Sequence, residues 1–302
     1  MNNLFQKTNA SWVRFSEYEY KQGEDGHLYI MPTPTAKPAI YDPTKDSETL
    51  VVEALNVGRL AMKRGDEGEL QQTIMEFVSK YGLLGFMTAL PTTAEFVVYD
   101  AVYLPKNHFI KEEVMATDEY LNLFFPFQKP DIYKRKDAAR WDVNMDSNDR
   151  VMMALAMTFA NGPIAVGMIL QRSYAEQYEW LVTQFRDWAF MLLSSFLFYE
   201  DKDNVDDFTR DLYRQGVSAF GSRVPFYHVA LYEDKPHIVW DFHSLLLTIQ
   251  TLFGFALTDE ARPLRVCKHC NRAFISGHPN AAFCGPKCKN QYNVYRNREK
   301  DE

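Results

Sequence analysis

The sequence predicts an α+β protein, with a predominantly α-helical body that carries small antiparallel β-hairpins and a C-terminal treble-clef-like zinc finger. Three observations predict this class. Several stretches space their apolar residues as a helix does, two pairs of alternating stretches flank turn residues, and all four cysteines fall in the last 36 residues. The predicted domains are residues 1–260, a sensor or interaction body, and residues 261–302, the finger.

The N-terminal part of the body predicts a β-hairpin followed by a loop. Apolar and polar residues alternate from Trp12 to Tyr20, the turn-rich run KQGEDG follows, and His27–Met31 provides the returning strand. Four prolines within residues 31–43 predict a loop, because proline has no backbone N–H to give to a sheet.

Helices dominate the rest of the predicted body. Apolar spacing indicates helices at about residues 46–65 and 66–82, which we expect to form an αα-hairpin. The longest helix is predicted from Tyr174 to Tyr199, and its aromatic stripe indicates core packing rather than a ligand cavity. The remaining predictions are a strand at Phe96–Leu104, a helical pattern from about Asp149, and helices at Phe208–Phe220 and Phe242–Leu257.

A second hairpin is predicted near the end of the body. Residues 226–232 and 237–240 are rich in β-branched and aromatic residues, and they flank a turn at residues 233–236. Two hairpins can join along their open edges, so we expect both to form one small antiparallel sheet packed on the helices.

The charges of the chain are divided unequally between its two predicted parts. The net charge is −7, yet residues 262–302 carry +6 and residues 1–261 carry −13. A basic tail is typical of a contact with nucleic acid, because cations gain by releasing the counterions condensed on phosphates. Docking of the tail on an acidic surface of its own or a neighbouring chain is the alternative interpretation.

The apolar residues of the chain predict a folded protein without a membrane span. With 46% hydrophobic residues the chain can bury a sizeable core, and no apolar run reaches the roughly 18 to 20 residues of a membrane span. Residues 1–10 are polar and lack the apolar stretch of a signal peptide. We therefore expect a cytoplasmic protein with no membrane partner.

The cysteines carry the most specific signal in the sequence. They follow the pattern C-x2-C, thirteen residues, C-x3-C, and are Cys267, Cys270, Cys284 and Cys288. Each pair can bring two thiolates to one ion, which predicts a tetrahedral S4 shell that holds one structural Zn²⁺. Disulfides would need an oxidising compartment and a redox pair would leave two cysteines unexplained, but spacing alone leaves an iron–sulfur cluster open. His269 and His278 lie inside the motif and are interpreted as loop residues.

The finger is predicted to contain a knuckle, a hairpin and a helix. Cys267–Cys270 forms the knuckle, Arg272–Ile275 and Ala281–Phe283 form the two strands, and the helix begins near Pro286, because proline suits a first helical turn. The last two ligands would then lie at the start of that helix, which is a treble-clef arrangement.

On these residues, the segment from about Leu264 to Arg298 resembles the CGNR-type zinc fingers at the C-termini of bacterial proteins regarded as stress-linked transcription regulators. In those fingers the last cysteine opens the tetrapeptide C-G-N-R before a basic helix. Here the tetrapeptide is Cys288-Lys289-Asn290-Gln291, which keeps the cysteine and the asparagine. The resemblance covers about 35 residues and implies a DNA-binding tail on a regulatory body.

The helix after the last cysteine is the part that we expect to meet nucleic acid. The predicted contacts are five cations, Arg272, Lys287, Lys289, Arg296 and Arg298. Tyr292 and Tyr295 can pack back on the module or stack on a base. The predicted function is therefore a zinc-binding bacterial transcription regulator whose finger contacts DNA or RNA. A single exposed basic face would favour this function, and a face buried on the body would favour protein interaction.

Two other functional classes stay open. One is a protein–protein interaction or defence-type protein, self-associating or with another partner, in which the finger is only structural. The other is an enzyme with a site in the body, where His228, His237 and His243 could meet an acidic residue. The sequence has no Gly-rich phosphate loop, H-E-x-x-H or G-x-S-x-G, and the acidic residues within 200–207 predict a solvated loop. A non-enzymatic protein is therefore favoured.

Overall fold

The computed structural model describes residues 7–63, 65, 67–90, 100–104, 109–130, 168–169, 171–201, 203–218, 226–278 and 280–301. The α-helices of this part are α1 (Ser47–Met62), α2 (Glu67–Tyr81), α3 (Phe86–Ala89), α4 (Thr117–Phe124), α5 (Tyr178–Asp201), α6 (Asp207–Ser218), α7 (Leu245–Thr258) and α8 (Pro286–Asp301). Its strands are β1 (Thr8–Asn9), β2 (Trp12–Phe15), β3 (Tyr18–Gln22), β4 (Leu28–Pro32), β5 (Pro38–Tyr41), β6 (Ala101–Tyr103), β7 (Val114–Ala116), β8 (Glu176–Gln177), β9 (Phe226–Tyr232), β10 (Lys235–Asp241), β11 (Leu264–Val266) and β12 (Ala273–Ile275). Helices with small sheets confirm the predicted α+β class.

The chain forms two compact units. The first comprises Met1–Pro43, Val78–Leu181 and Pro225–Leu247, and the second comprises Thr44–Phe77, Val182–Val224 and Thr248–Glu302. The predicted division at residue 260 stays a prediction. Across the described ranges, no helix combines the length and the apolar character that crossing a membrane requires.

The first unit contains the predicted N-terminal hairpin. Strands β3 and β4 pair antiparallel from Tyr18↔Pro32 to Gln22↔Leu28, and β8 joins β4 on its other side. Gly26 in the connecting turn has a φ of 84°, a left-handed conformation that glycine adopts without strain. The hairpin is therefore confirmed, although the chain before it is a separate strand, β2.

Two predictions about these sheets are wrong. The proline-rich segment predicted as a loop contains β5, which pairs antiparallel with β2 in a two-stranded sheet. Pro38 begins β5, a position where a missing N–H costs little. The two hairpins also do not share a sheet, because β10 pairs with β9 and, in parallel, with β1.

A buried carboxylate organises the middle of the first unit. The side chain of Glu176 accepts four hydrogen bonds, from the backbone N–H groups of Leu84, Gly85 and Phe86 at 2.8, 2.6 and 2.9 Å and from the Tyr174 hydroxyl at 2.6 Å. These N–H groups lead into α3, so the carboxylate supplies the partners that a helix start lacks. Burial raises the pKa of Glu176 above that of an ordinary glutamate, although the four donors oppose the rise.

The longest helix begins later than its sequence pattern predicts. Helix α5 starts at Tyr178, because Glu176 and Gln177 pair with β4 as strand β8. The predicted aromatic stripe does face the core, as Tyr174, Tyr178, Phe185 and Trp188 are all buried. Core packing is therefore confirmed for these four side chains.

The helices of the second unit lie close to their predicted positions. Helices α1 and α2 confirm the two predicted helices, although no backbone N–H of α1 donates a capping hydrogen bond to the Asp46 side chain. Helix α6 has such a cap, since Asp206 accepts hydrogen bonds from the N–H and the hydroxyl of Thr209 at 2.8 and 3.0 Å. These bonds, the backbone one first, lower the pKa of Asp206. The acidic run thus includes a helix cap.

A glycine allows close packing of α1 against α5 in the second unit. A Cβ atom on Gly58 would collide with the backbone carbonyl oxygen of Phe185 and lie 2.9 Å from the Cβ of Ala189. We expect Gly58→Ala to lower the free energy of unfolding by about 1–3 kcal/mol, because the backbone of α5 must move. Urea denaturation measures this loss, and Gly65→Ala, where a Cβ meets nothing within 4 Å, is the matched control. Equal stability of the two variants would contradict the packing.

The second predicted hairpin is confirmed in the first unit. Strands β9 and β10 flank a two-residue turn at Glu233 and Asp234, whose φ values of 51° and 60° are typical of a type I′ turn. The turn is shorter than predicted, because residues 235 and 236 belong to β10. Of the other predictions, β6 confirms the end of the strand at 96–104, and the helical pattern predicted from about Asp149 begins outside the described residues.

Candidate metal centre and basic helix

The first cysteine pair lies in a tight turn between β11 and β12. These strands pair antiparallel from Leu264↔Ile275 to Val266↔Ala273. The turn is closed by a hydrogen bond from the N–H of Cys267 to the carbonyl of Arg272 at 2.9 Å. Asn271 adopts a φ of 56°, a left-handed conformation that asparagine tolerates in turns. This is the knuckle that the C-x2-C spacing predicts.

The strand partner predicted for this hairpin is wrong. Residues 281–283 form no strand, and β12 pairs instead with the residues before the knuckle. One hydrogen bond, from the N–H of Lys268 to the carbonyl of Ala282 at 2.9 Å, holds residues 281–283 beside the knuckle. The second cysteine pair is thereby brought to the first.

The second pair lies at the start of α8. Pro286 is the first residue of this helix, as predicted, and its missing N–H would have no partner there. Cys284 precedes the helix and Cys288 lies in its first turn, so both sulfurs point to one place. The predicted position of these two cysteines at a helix start is confirmed.

The four sulfur atoms lie within 4.8 Å of one another. The Sγ atoms of Cys270 and Cys284 are 3.7 Å apart, and those of Cys284 and Cys288 are 3.5 Å apart. A disulfide would need about 2.05 Å. A tetrahedron with metal–sulfur bonds of about 2.3 Å has edges of about 3.8 Å, so the cluster fits one metal ion. The sequence prediction that these four residues come together is confirmed, and the identity of the metal belongs to the proposal below.

The electrostatics of the cluster favour a cation at its centre. Burial raises the pKa of the Cys267 thiol, but hydrogen bonds led by the backbone N–H groups of Cys270 and Cys284 lower it to about 6. Burial raises the pKa of Cys284, and contacts with the neighbouring thiols raise it further. A thiolate at Cys267 opposes ionisation of the Cys284 thiol. A bound metal ion removes this opposition, because it stabilises every thiolate.

Helix α1 supports the knuckle within the second unit. The Asn56 side chain accepts a hydrogen bond from the N–H of Ala273 at 2.9 Å and donates one to its carbonyl at 3.2 Å. Arg59, about one turn along α1, interacts electrostatically with Cys270 and Cys267. Its pKa is lowered by burial, a shift that the two cysteines oppose. The sequence gives no signal for either residue, because Asn56 is 217 residues from its partner.

An ion pair fixes the segment before β11. Arg262 forms a bidentate ion pair with Glu48 of α1, and Nη2 of Arg262 lies 2.8 Å from Oε2 of Glu48. Both side chains are about half exposed, so the ion pair adds at most about 1 kcal/mol to the free energy of unfolding. Its main effect is to fix the course of the chain before β11. The tail therefore contacts Glu48 of α1 through Arg262. Arg262 is not one of the five cations predicted to bind nucleic acid.

The five predicted cations are all exposed. Arg272 follows the knuckle, and the others lie on α8. None of the five makes an ion pair with any described residue. They do not form a single face, since Lys287 and Lys289 lie about 200° apart around the helix. Binding of nucleic acid by these five cations stays a prediction.

No family model, curated protein or solved structure matches the chain. The likeness of the last 35 residues to CGNR-type fingers therefore stays a resemblance.

Both tyrosines of α8 pack back on the cysteine-bearing module of residues 264–285. The ring of Tyr295 stacks on His269 at 5.8 Å between centroids, and Tyr292 packs on Phe283 at 5.2 Å. Gln291 Oε1 lies 3.1 Å from Nε2 of His269. These contacts fix the rotation of the helix about its axis. Tyr295 nevertheless keeps 54% of its surface exposed.

Two features bear on the enzyme interpretation. A cleft of about 650 Å³ in the second unit is lined in part by Asp259, Glu260 and Arg265, with no histidine among its described lining residues. In the first unit, Nδ1 of His228 contacts Asp241, whose Oδ1 accepts a hydrogen bond from Asn9 at 2.9 Å. His228 therefore has an acidic partner, but it is half exposed on a hairpin. The pair lies in the first unit and the cleft lies in the second.

Proposed function

We propose that this chain is a regulatory nucleic-acid-binding protein of the bacterial cytoplasm, in which a metal-held module presents α8 to phosphates. The observation that carries the proposal is the set of five exposed cations on and beside α8, unpaired within the described residues. Cations that have no acidic partner among the described residues can release counterions when they meet a phosphate backbone. The net charge of +6 on residues 262–302 supports the same partner.

The metal that we propose is a single Zn²⁺. Four thiolates in a tetrahedral arrangement are the usual ligands of structural zinc, and they leave no position for a substrate water. An iron–sulfur cluster uses the same ligands, and elemental analysis distinguishes the two because zinc should be found at about one ion per chain. Bound zinc would hold Cys284 and Cys288 at the base of α8, which gives the helix a rigid attachment.

Salt dependence tests the contact with nucleic acid. We expect the full chain to bind a random DNA duplex or single-stranded RNA at about 50 mM salt, with log K falling linearly against log salt. Each phosphate-bound cation contributes about one to the slope, so the variant with both Arg296→Ala and Arg298→Ala should flatten it by roughly two. Fluorescence anisotropy measures both quantities.

The matched control removes exposed lysines from the first unit. The double variant Lys37→Ala and Lys111→Ala loses the same charge as the α8 variant, and both lysines are exposed. Its slope should equal that of the unmodified protein. If the control flattens the slope as much as the α8 variant does, the attraction is unspecific. Absence of binding to either nucleic acid at low salt would overturn the proposal.

A protein-interaction role is the second candidate, and the β9–β10 hairpin favours it. On one face of this hairpin Tyr227, Val229, Leu231 and Ile238 are between 51% and 72% exposed. Apolar side chains grouped on one exposed face are typical of an interaction surface. If the chain binds no nucleic acid, this face is where a protein partner is to be sought.

A further inference from the structure

Helix α8 has two lines of cations on opposite sides. Lys287 and Arg298 are eleven residues apart, about three turns, so they lie along one line of the helix. Lys289 and Arg296 are seven residues apart, about two turns, and form the second line. All four side chains are exposed. The helix can therefore meet negative charge on both flanks at once.

The cysteine-bearing module occupies the side of α8 between these two lines. Cys288 faces the sulfur cluster, Tyr292 packs on Phe283 and Tyr295 stacks on His269. Gln291 is also turned to this side by its contact with His269. The opposite side is therefore the one that points away from the module.

The side of α8 away from the module carries Asn290 and Asn293, and Val294 lies between this side and the line of Lys287 and Arg298. Asn290 is exposed, Asn293 is partly exposed and Val294 keeps 49% of its surface exposed. Residues three and four positions apart are neighbours on a helix surface, so Asn290 forms one patch with Asn293 and Val294. The patch lies between the two lines of cations.

This arrangement matches the major groove of B-form DNA. The groove is about 12 Å wide and admits a helix about 10–12 Å across, whose flanks then face the phosphates of both strands. The minor groove, about 6 Å wide, is too narrow, and the major groove of double-stranded RNA is too deep and narrow to be read. A helix with cations on both flanks is therefore suited to duplex DNA.

The chemistry of the patch matches one type of base pair. An asparagine amide can donate to N7 and accept from N6 of adenine as a bidentate pair, and an aliphatic side chain contacts the C5-methyl group of thymine. We propose that α8 enters the major groove and reads A·T pairs, with Asn290 and Asn293 each contacting its own adenine and Val294 against the methyl group of a thymine. This inference rests on the proposed nucleic-acid function and adds a partner, B-form DNA, and a base preference.

The test begins with the full chain and a pool of random 20-base-pair duplexes. Bound sequences should be enriched in at least one A·T pair at a fixed position. In the enriched duplex, 7-deazaadenine replaces N7 by a C–H group without changing the minor groove. This replacement should weaken binding of the unmodified protein about five- to 100-fold.

The double variant Asn290→Ala and Asn293→Ala separates base reading from phosphate contact. It should bind the natural and the 7-deazaadenine duplexes equally, while its salt slope stays that of the unmodified protein. Asn280→Ala, an exposed asparagine of the module outside α8, is the control and should keep the preference. Metal content verifies that each variant retains its folded module.

The outcomes distinguish this inference from the proposed function. Binding to random duplex with the expected salt slope, but with no enriched A·T pair or no effect of 7-deazaadenine, overturns base reading and leaves phosphate binding intact. Tighter binding to single-stranded RNA than to duplex also overturns it. Absence of binding to any nucleic acid overturns the proposed function itself.

Discussion

Removal of the proposed metal ion is expected to unfold residues 264–301. The segment contains two three-residue strands and one helix, so it buries too little apolar surface to fold alone. Metal binding in modules of this kind contributes on the order of 10 kcal/mol or more. Cys284→Ser should therefore reduce the metal content to near zero and expose α8 to proteolysis. Elemental analysis and limited proteolysis measure the two effects.

A variant that lacks two histidines provides the control for this loss of metal. His269 and His278 lie inside the motif, and neither is needed if four sulfurs complete the shell. The double variant His269→Ala and His278→Ala should keep about one metal ion per chain. Loss of metal from the histidine variant, or an ordered tail in metal-free Cys284→Ser protein, would contradict the S4 assignment.

The second large effect is expected at Glu176. Glu176→Ala leaves three buried N–H groups and the Tyr174 hydroxyl without their acceptor. Each loss costs about 1–3 kcal/mol and they are not additive, so we expect the free energy of unfolding to fall by about 3–5 kcal/mol. Glu176→Gln should lose less, because its amide keeps one acceptor oxygen. Urea denaturation measures both variants.

Glu112→Ala is the matched control for Glu176→Ala. Glu112 is exposed in the same unit, so its removal should change the free energy of unfolding by no more than about 0.5 kcal/mol. A loss below 1 kcal/mol for Glu176→Ala would contradict a structural role for the buried carboxylate.

The cluster of four cysteines was predictable because it forms mostly from local pairs. Each cysteine pair is separated by two or three residues, so a turn or a helix start suffices to bring two sulfurs together. The hairpin between the pairs was predicted with the wrong partner. The turn from Cys267 to Arg272, which contains the knuckle, reverses the chain. Strand β12 therefore meets the residues just before the knuckle rather than those at 281–283.

Errors in the first unit arose where tertiary pairing overrides local pattern. The apolar spacing of α5 extends back to Tyr174, yet β8 forms there because β4 offers an edge and Glu176 finds its donors. The prolines before and within β5 predicted a loop. Pro38 is nevertheless tolerated in β5, because a two-stranded sheet leaves each strand with an unpaired edge. Neither partner is near in sequence, so a local pattern could not reveal them.

The supporting residues of the metal centre were likewise not predictable. Asn56 and Arg59 read as ordinary polar positions of an amphipathic helix, and only the folded second unit brings them to the knuckle. The exposure of the α8 cations was predictable from the polarity of that helix. Their division into two lines follows from residue spacing, and the side facing the module follows from the packing of Tyr292 and Tyr295.

The central claim is that a metal-held module presents α8 to nucleic acid, and one titration tests it most directly. Anisotropy of a labelled random duplex is measured with the metal-loaded full chain, with the same protein after chelation, and after zinc is added back, all at about 50 mM salt. We predict binding by the loaded protein, at least about tenfold weaker binding after chelation, and recovery with zinc. Equal binding with and without metal, or no binding by the loaded protein, would contradict the claim.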